Sequence, residues 1–204
     1  MGLATLLGFP AIGITVIGFV ESNPWNFILN WNTPYNIGIQ IAIGLAAGTL
    51  FGFLAWKLIN RKDMILIKIK YGVLIHRFKM NIWDILFLSF CAGVGEEFLF
   101  RGVIQPYWGI WLTAIFFVAI HGYLDPKDNK MMIYGLTMTI FIGILGYMKT
   151  YLGLIAPMAA HMAIDVVLLY LLTNDKSFKI TPTQPVEEFK NLDPEENKPG
   201  NESN

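Results

Sequence analysis

The sequence is poor in charge and nearly free of cysteine. Only 15% of its 204 residues are Asp, Glu, Lys or Arg, against about 25% in an average soluble domain. That argues against a soluble globular enzyme. Residues 1–56 hold one ionisable acid or base, Glu21. The single cysteine, Cys91, excludes an intramolecular disulfide and any multi-cysteine zinc or iron–sulfur site, and reads as a core residue. No basic face exists outside the loops between apolar runs, so nucleic acid is not expected as a partner. The first apolar run also lacks the basic flank and cleavage pattern of a signal peptide.

What the chain does have is apolar length: 54% of it is hydrophobic. Crossing the hydrocarbon as a helix takes about 20 apolar residues. Six stretches qualify or nearly so: 2–20, 37–56, 82–105, 107–121, 131–148 and 151–173. The fold predicted is all-α, a polytopic membrane helical bundle of about six transmembrane helices whose last four form a catalytic core. Residues 1–56 supply two N-terminal spans, 57–81 a basic cytoplasmic or interfacial segment, 82–173 the core, and 174–204 a polar cytoplasmic tail that reads as disordered.

Charge sets the orientation. Residues 57–81 carry Lys57, Arg61, Lys62, Lys68, Lys70, Arg77 and Lys79 against one acid, Asp63. Lys127 and Lys130 fall in the next loop on that side, whereas 21–36 has no basic residue. Positive loops stay inside, which puts both termini in the cytoplasm. Trp25, Trp31, Tyr35, Trp108, Trp111, Tyr147 and Tyr151 then fall near the outer boundary, and Trp56, Trp83, Tyr123 and Tyr134 near the inner one, as aromatic belts do. Segment 64–80 fits an interfacial element at anionic headgroups; its alternation Ile67-Lys68-Ile69-Lys70-Tyr71 equally fits a strand. Gly44, Gly48 and Gly52 put small residues on one helix face, which suits close helix packing.

The informative residues are the costly ones. An ionised side chain at the bilayer centre costs about 2.5–3.5 kcal/mol on insertion scales. Glu96, Glu97, Arg101 and Asp165 all sit inside apolar runs, with His121 and His161 beside them. Such residues line a cavity by default and do something there. Glu97 and Arg101 are four apart and share a helix face, so they are expected to pair. Glu96 is rotated about 100° away and points elsewhere. His161 and Asp165 are four apart, as are Phe117 and His121. Pro157 is expected to kink the last helix, Gly93, Gly95 and Gly102 to permit close approach or a local break, and Asp84 to serve a helix N-terminus.

A carboxylate in a low-dielectric pocket suits a general base near neutral pH. A histidine opposite can pass the proton to a leaving amine, and a second histidine can hold a developing oxyanion. Water activated by Glu96 and attacking an amide is the simplest chemistry for this set, with Phe117 as a cavity wall.

The runs Gly95-Glu96-Glu97-Phe98-Leu99-Phe100-Arg101-Gly102, Phe117-Val118-Ala119-Ile120-His121 and His161-Met162-Ala163-Ile164-Asp165 resemble, in order and spacing, the three signatures of the CAAX-protease and bacteriocin-processing family of intramembrane proteases. The resemblance spans about 82–173. It implies Glu96 as water-activating base, His121 as its proton partner, Glu97 and Arg101 as groups that shape the site, and His161 with Asp165 at the oxyanion or ligand position. Eukaryotic members carry Asn at the last position. An ionised Asp165 orients His161 instead, and would make a divalent metal such as zinc more plausible. The chain has no His-Glu-x-x-His helix motif, so the metal-free reading, with no cofactor, is favoured. The expected partners are membrane lipid and a peptide or protein substrate, lipidated or not. The compact form points to a bacterial cell membrane. The rival class is a non-catalytic membrane protein for bacteriocin self-immunity or regulatory partner binding. A transporter fits less well, because the spans show no repeated halves.

Overall fold

The computed structural model describes residues 2–29 and 33–175. Within them the chain is helical: α1 (Gly2–Gly18), α2 (Pro24–Leu29), α3 (Ile37–Ile59), α4 (Ile65–Arg77), α5 (Ile82–Glu97), a π-helical segment (Phe98–Ile104), α6 (Gln105–Ile120), α7 (Asn129–Leu152) and α8 (Ile155–Asn174). Trp31 and residues 176–204, the bulk of the tail, lie outside the described residues.

Among the described residues, four helical stretches are long and apolar enough to cross a membrane: α3, the continuous run Ile82–Ile120, α7 and α8. α1, with 17 residues, reaches about 26 Å at 1.5 Å per residue, slightly short of the hydrocarbon thickness. Large apolar side chains stay exposed along the outward faces, among them Leu7, Leu50, Phe53, Leu136 and Ile140. In water such a surface would be a liability; facing lipid it costs nothing. The expected polytopic helical bundle is therefore the fold found.

All six apolar runs are helices, and the third and fourth join into one run, Ile82–Ile120. The run Ile82–Ile120 does not break at Pro106, which lies in the first turn of α6, where a missing N–H is harmless. The break is at Gly109, with φ +75° and ψ 172°. A Cβ there would meet nothing within 4 Å, so glycine is required by the backbone conformation and not by space. Glu96 and His121 are 25 positions apart, about 37 Å along a straight helix. Their side chains approach to 3.6 Å, so the chain folds back on itself at Gly109. Phe100 packs against Phe116 and Phe117, and Trp108 against Phe116, closing the hairpin. Its return arm after Gly109 is only about 16 Å long.

α3 lies along α8 through its glycine face. A Cβ on Gly44 or Gly48 would overlap backbone atoms of Ala156 or Ala160, and one on Gly52 would press on Val167. The packing role expected for this stripe is what it has. α5 lies between α1 and α8, and Gly93 and Gly95 serve close approach to Met158 and Thr5 without breaking the helix. Asn81 caps α5, and Asp84 returns a bond to the Asn81 N–H at 3.0 Å. Pro157 does not kink α8: the helix starts at Ile155, so the proline falls in its first turn, where it breaks no intrahelical bond.

Segment 64–80 is helical, not a strand. α4 is pinned to the end of α8: Lys68 pairs with Asp175 at 2.5 Å and lies over the Trp56 ring, and a His76 ring nitrogen bonds the Leu172 carbonyl at 3.0 Å. Period-two alternation over five residues is too short to compete with that helical packing.

Candidate active site

The adjacent glutamates end α5 and face different surroundings. Glu97 is fully buried. Its Oε2 lies 3.0 Å from Arg101 Nε, and its Oε1 accepts from His161 Nδ1 at 2.9 Å. The turn between them is π-helical, with the Gln105 N–H bonded to the Phe100 carbonyl five residues back. Such wide turns recur at functional sites. They swing Arg101 and Gln105 toward α7, where Arg101 Nη2 donates to the Ile142 carbonyl at 3.3 Å and Gln105 Nε2 to that of Gly146 at 3.0 Å. The Arg101 guanidinium also lies 5.0 Å from the Phe117 ring centre. A buried pair anchored on this many partners avoids the penalty an isolated charge would carry.

Glu96, with 14% of its side chain exposed, opens into a cavity of about 250 Å³. Its Oε2 is 3.6 Å from His121 Nε2 and 4.0 Å from His161 Nε2. Asp165 Oδ2 stands 3.7 Å from His161 Nε2. These gaps exceed direct hydrogen bonds and suit an interposed water or substrate atom. His121 Nδ1 lies 2.6 Å from the Phe117 carbonyl. A carbonyl only accepts, so Nδ1 carries hydrogen, and in the neutral ring Nε2 presents its lone pair to Glu96.

All six residues singled out in the sequence converge here, with Phe117 as a wall. The remaining walls are apolar, including Met138, Phe141, Ile142, Ile164 and Leu168. Tyr123 and Tyr134 also line the cavity. The sequence pattern places both in the inner aromatic belt; Tyr134 is instead buried, with 7% of its surface exposed. Burial holds the Tyr123 phenol above its usual value, and the nearby Tyr71, Asp165 and Glu96 add to this. It therefore stays a neutral donor. Among the described residues, no three His, Cys, Asp or Glu side chains are grouped as metal ligands would be.

Fold and site together define a polytopic helical membrane protein with a buried glutamate–histidine cavity. Residues 78–167 match the Rce1-like family model, described as type II CAAX prenyl endopeptidase Rce1-like. The resemblance carried by the three motifs holds over that span. An uncharacterized protein of Bacillus subtilis (strain 168), YpbD, is 37% identical over 91 residues, covering 44% of this chain and 46% of the relative. The match thus spans less than half of either chain. No solved structure matches.

Proposed function

We propose that this protein is an intramembrane endopeptidase that cleaves a membrane-anchored or lipidated peptide with water activated by Glu96. The observation that carries the reading is the division of labour between neighbouring glutamates. Glu97 is occupied by Arg101 and His161, whereas Glu96 faces open volume with two histidine Nε2 atoms 3.6 and 4.0 Å away.

In this mechanism Glu96 takes a proton from water as its oxygen attacks the scissile carbonyl carbon. The proton moves across the 3.6 Å gap to the His121 Nε2 lone pair. The carbonyl oxygen becomes an oxyanion, met by His161 Nε2–H when that ring is doubly protonated, its Nδ1–H staying on Glu97. Collapse of the tetrahedral intermediate breaks the C–N bond, and His121 returns its proton to the leaving amine. No protein nucleophile, metal or cofactor takes part. Asp165 keeps the His161 ring oriented toward the cavity. The protein works in a bacterial cell membrane with both termini cytoplasmic, and substrate reaches the site from the cytoplasmic half.

The test is cleavage by purified protein in liposomes of a panel of membrane-anchored peptides, farnesylated and unlipidated, in water enriched in oxygen-18. Hydrolysis puts the heavy isotope into the new C-terminal carboxylate of the product, and the reaction survives a strong chelator. Cleavage abolished by the chelator would replace Glu96-activated water by metal-activated water. No cleavage of any peptide in the panel would favour a binding role for the same cavity.

A further inference from the structure

His121 stands just beyond the last turn of α6, where helix packing alone does little to hold a side chain. Its Nδ1 bonds the Phe117 carbonyl, which fixes one ring atom and leaves the tilt of the imidazole plane to the groups packed against it. Two rings flank it. The Phe117 centroid is 4.3 Å from that of His121 and the Tyr123 centroid 5.9 Å, each with an interplanar angle of 28°. Tyr123 is itself backed edge-on by Tyr134 at 5.3 Å and Tyr71 of α4 at 5.7 Å.

The backbone is built to bring Tyr123 there. Gly122 has φ +75°, a region side chains rarely adopt. Its N–H bonds the Ala119 carbonyl at 2.9 Å, and the Tyr123 N–H reaches back to Val118 at 3.3 Å. The chain thus doubles back at once after His121, so the second residue along lies against the first.

We propose that Tyr123 is a positioning residue: through its ring face, with Phe117, it holds the His121 imidazole so that Nε2 aims at Glu96. The aromatic face does this, not the phenol oxygen. The kinetic consequence rests on the hydrolytic reading above; the positioning itself does not.

Tyr123→Phe and Tyr123→Leu are compared with wild type in liposomes, with thermal unfolding as the control for folding. Two readouts are taken: kcat and KM for a cleaved peptide, and the rate at which diethyl pyrocarbonate modifies His121, followed by mass spectrometry against His76 as internal reference. Tyr123→Phe, which keeps the ring, is expected to be impaired far less than Tyr123→Leu in both. Tyr123→Leu is expected to lose about tenfold or more in kcat, since small misplacements of a catalytic group are costly. Its KM stays close to wild type, and its His121 is modified severalfold faster. Equal impairment of Tyr123→Phe and Tyr123→Leu would assign the role to the phenol and overturn the proposal. An unchanged modification rate in Tyr123→Leu would overturn it too. Should wild type cleave no peptide, the hydrolytic reading fails, and the modification rates alone decide whether Tyr123 holds His121.

Discussion

Glu97 and Arg101 form an ion pair at 3.0 Å with 0% and 1% of their side chains exposed, across the first turn of a π-helical segment. The pair ties the end of α5 to His161 of α8 through Glu97 and to the Ile142 carbonyl of α7 through Arg101. It therefore fixes where the next residue back, Glu96, enters the cavity.

Removing one partner should leave an uncompensated buried charge. Arg101→Met is expected to destabilise the protein by about 3–5 kcal/mol, the usual cost of breaking a buried pair. The double variant Glu97→Gln/Arg101→Met should lose clearly less than the sum of the two single changes. Denaturant unfolding in detergent micelles measures all three. Additive losses would show that the pair does not act as a unit.

The α3–α8 contact makes a sharper packing prediction. Gly48→Ala places a methyl on the Ala160 backbone, which cannot retreat as a flexible side chain would. A loss of about 1–3 kcal/mol is expected for such overpacking. Gly8→Ala in α1, with nothing within 4 Å of the new methyl, should cause no loss. Thermal unfolding of the two variants decides it, and equal midpoints would contradict the packing account.

At the other end of α8, the Lys68–Asp175 pair should hold α4 in place. Asp175→Asn keeps every tryptic site and weakens that tether. Trypsin is expected to cut within 61–81 severalfold faster in the variant than in wild type. An unchanged rate would mean that α4 is held without the Lys68–Asp175 pair.

Much of the fold and of the site is legible in the amino-acid sequence. Ionisable residues inside apolar runs are conspicuous because lipid makes them expensive, so Glu96, Glu97, Arg101, His121, His161 and Asp165 stand out together. Spacing of four correctly pairs Glu97 with Arg101 and His161 with Asp165. What the sequence does not reveal depends on backbone detail. Gly109 looks like any membrane-helix glycine until its positive φ reverses the chain. The π turn leaves no pattern, because i to i+5 bonding needs no special residue. Tyr123 and Tyr134 resemble belt aromatics, since a tyrosine near a helix end suits an interface as well as a cavity. The one local hint is Gly122 standing between His121 and Tyr123, where a turn returns the second ring to the first.

The central claim is that Glu96 is the base. The most direct measurement is kcat for wild type and Glu96→Gln on one membrane-anchored peptide in liposomes, with unfolding midpoints taken in parallel. Loss of a positioned general base is expected to lower kcat by about 10²–10⁴-fold, with the midpoint unchanged or raised. Undiminished cleavage by Glu96→Gln would contradict the mechanism.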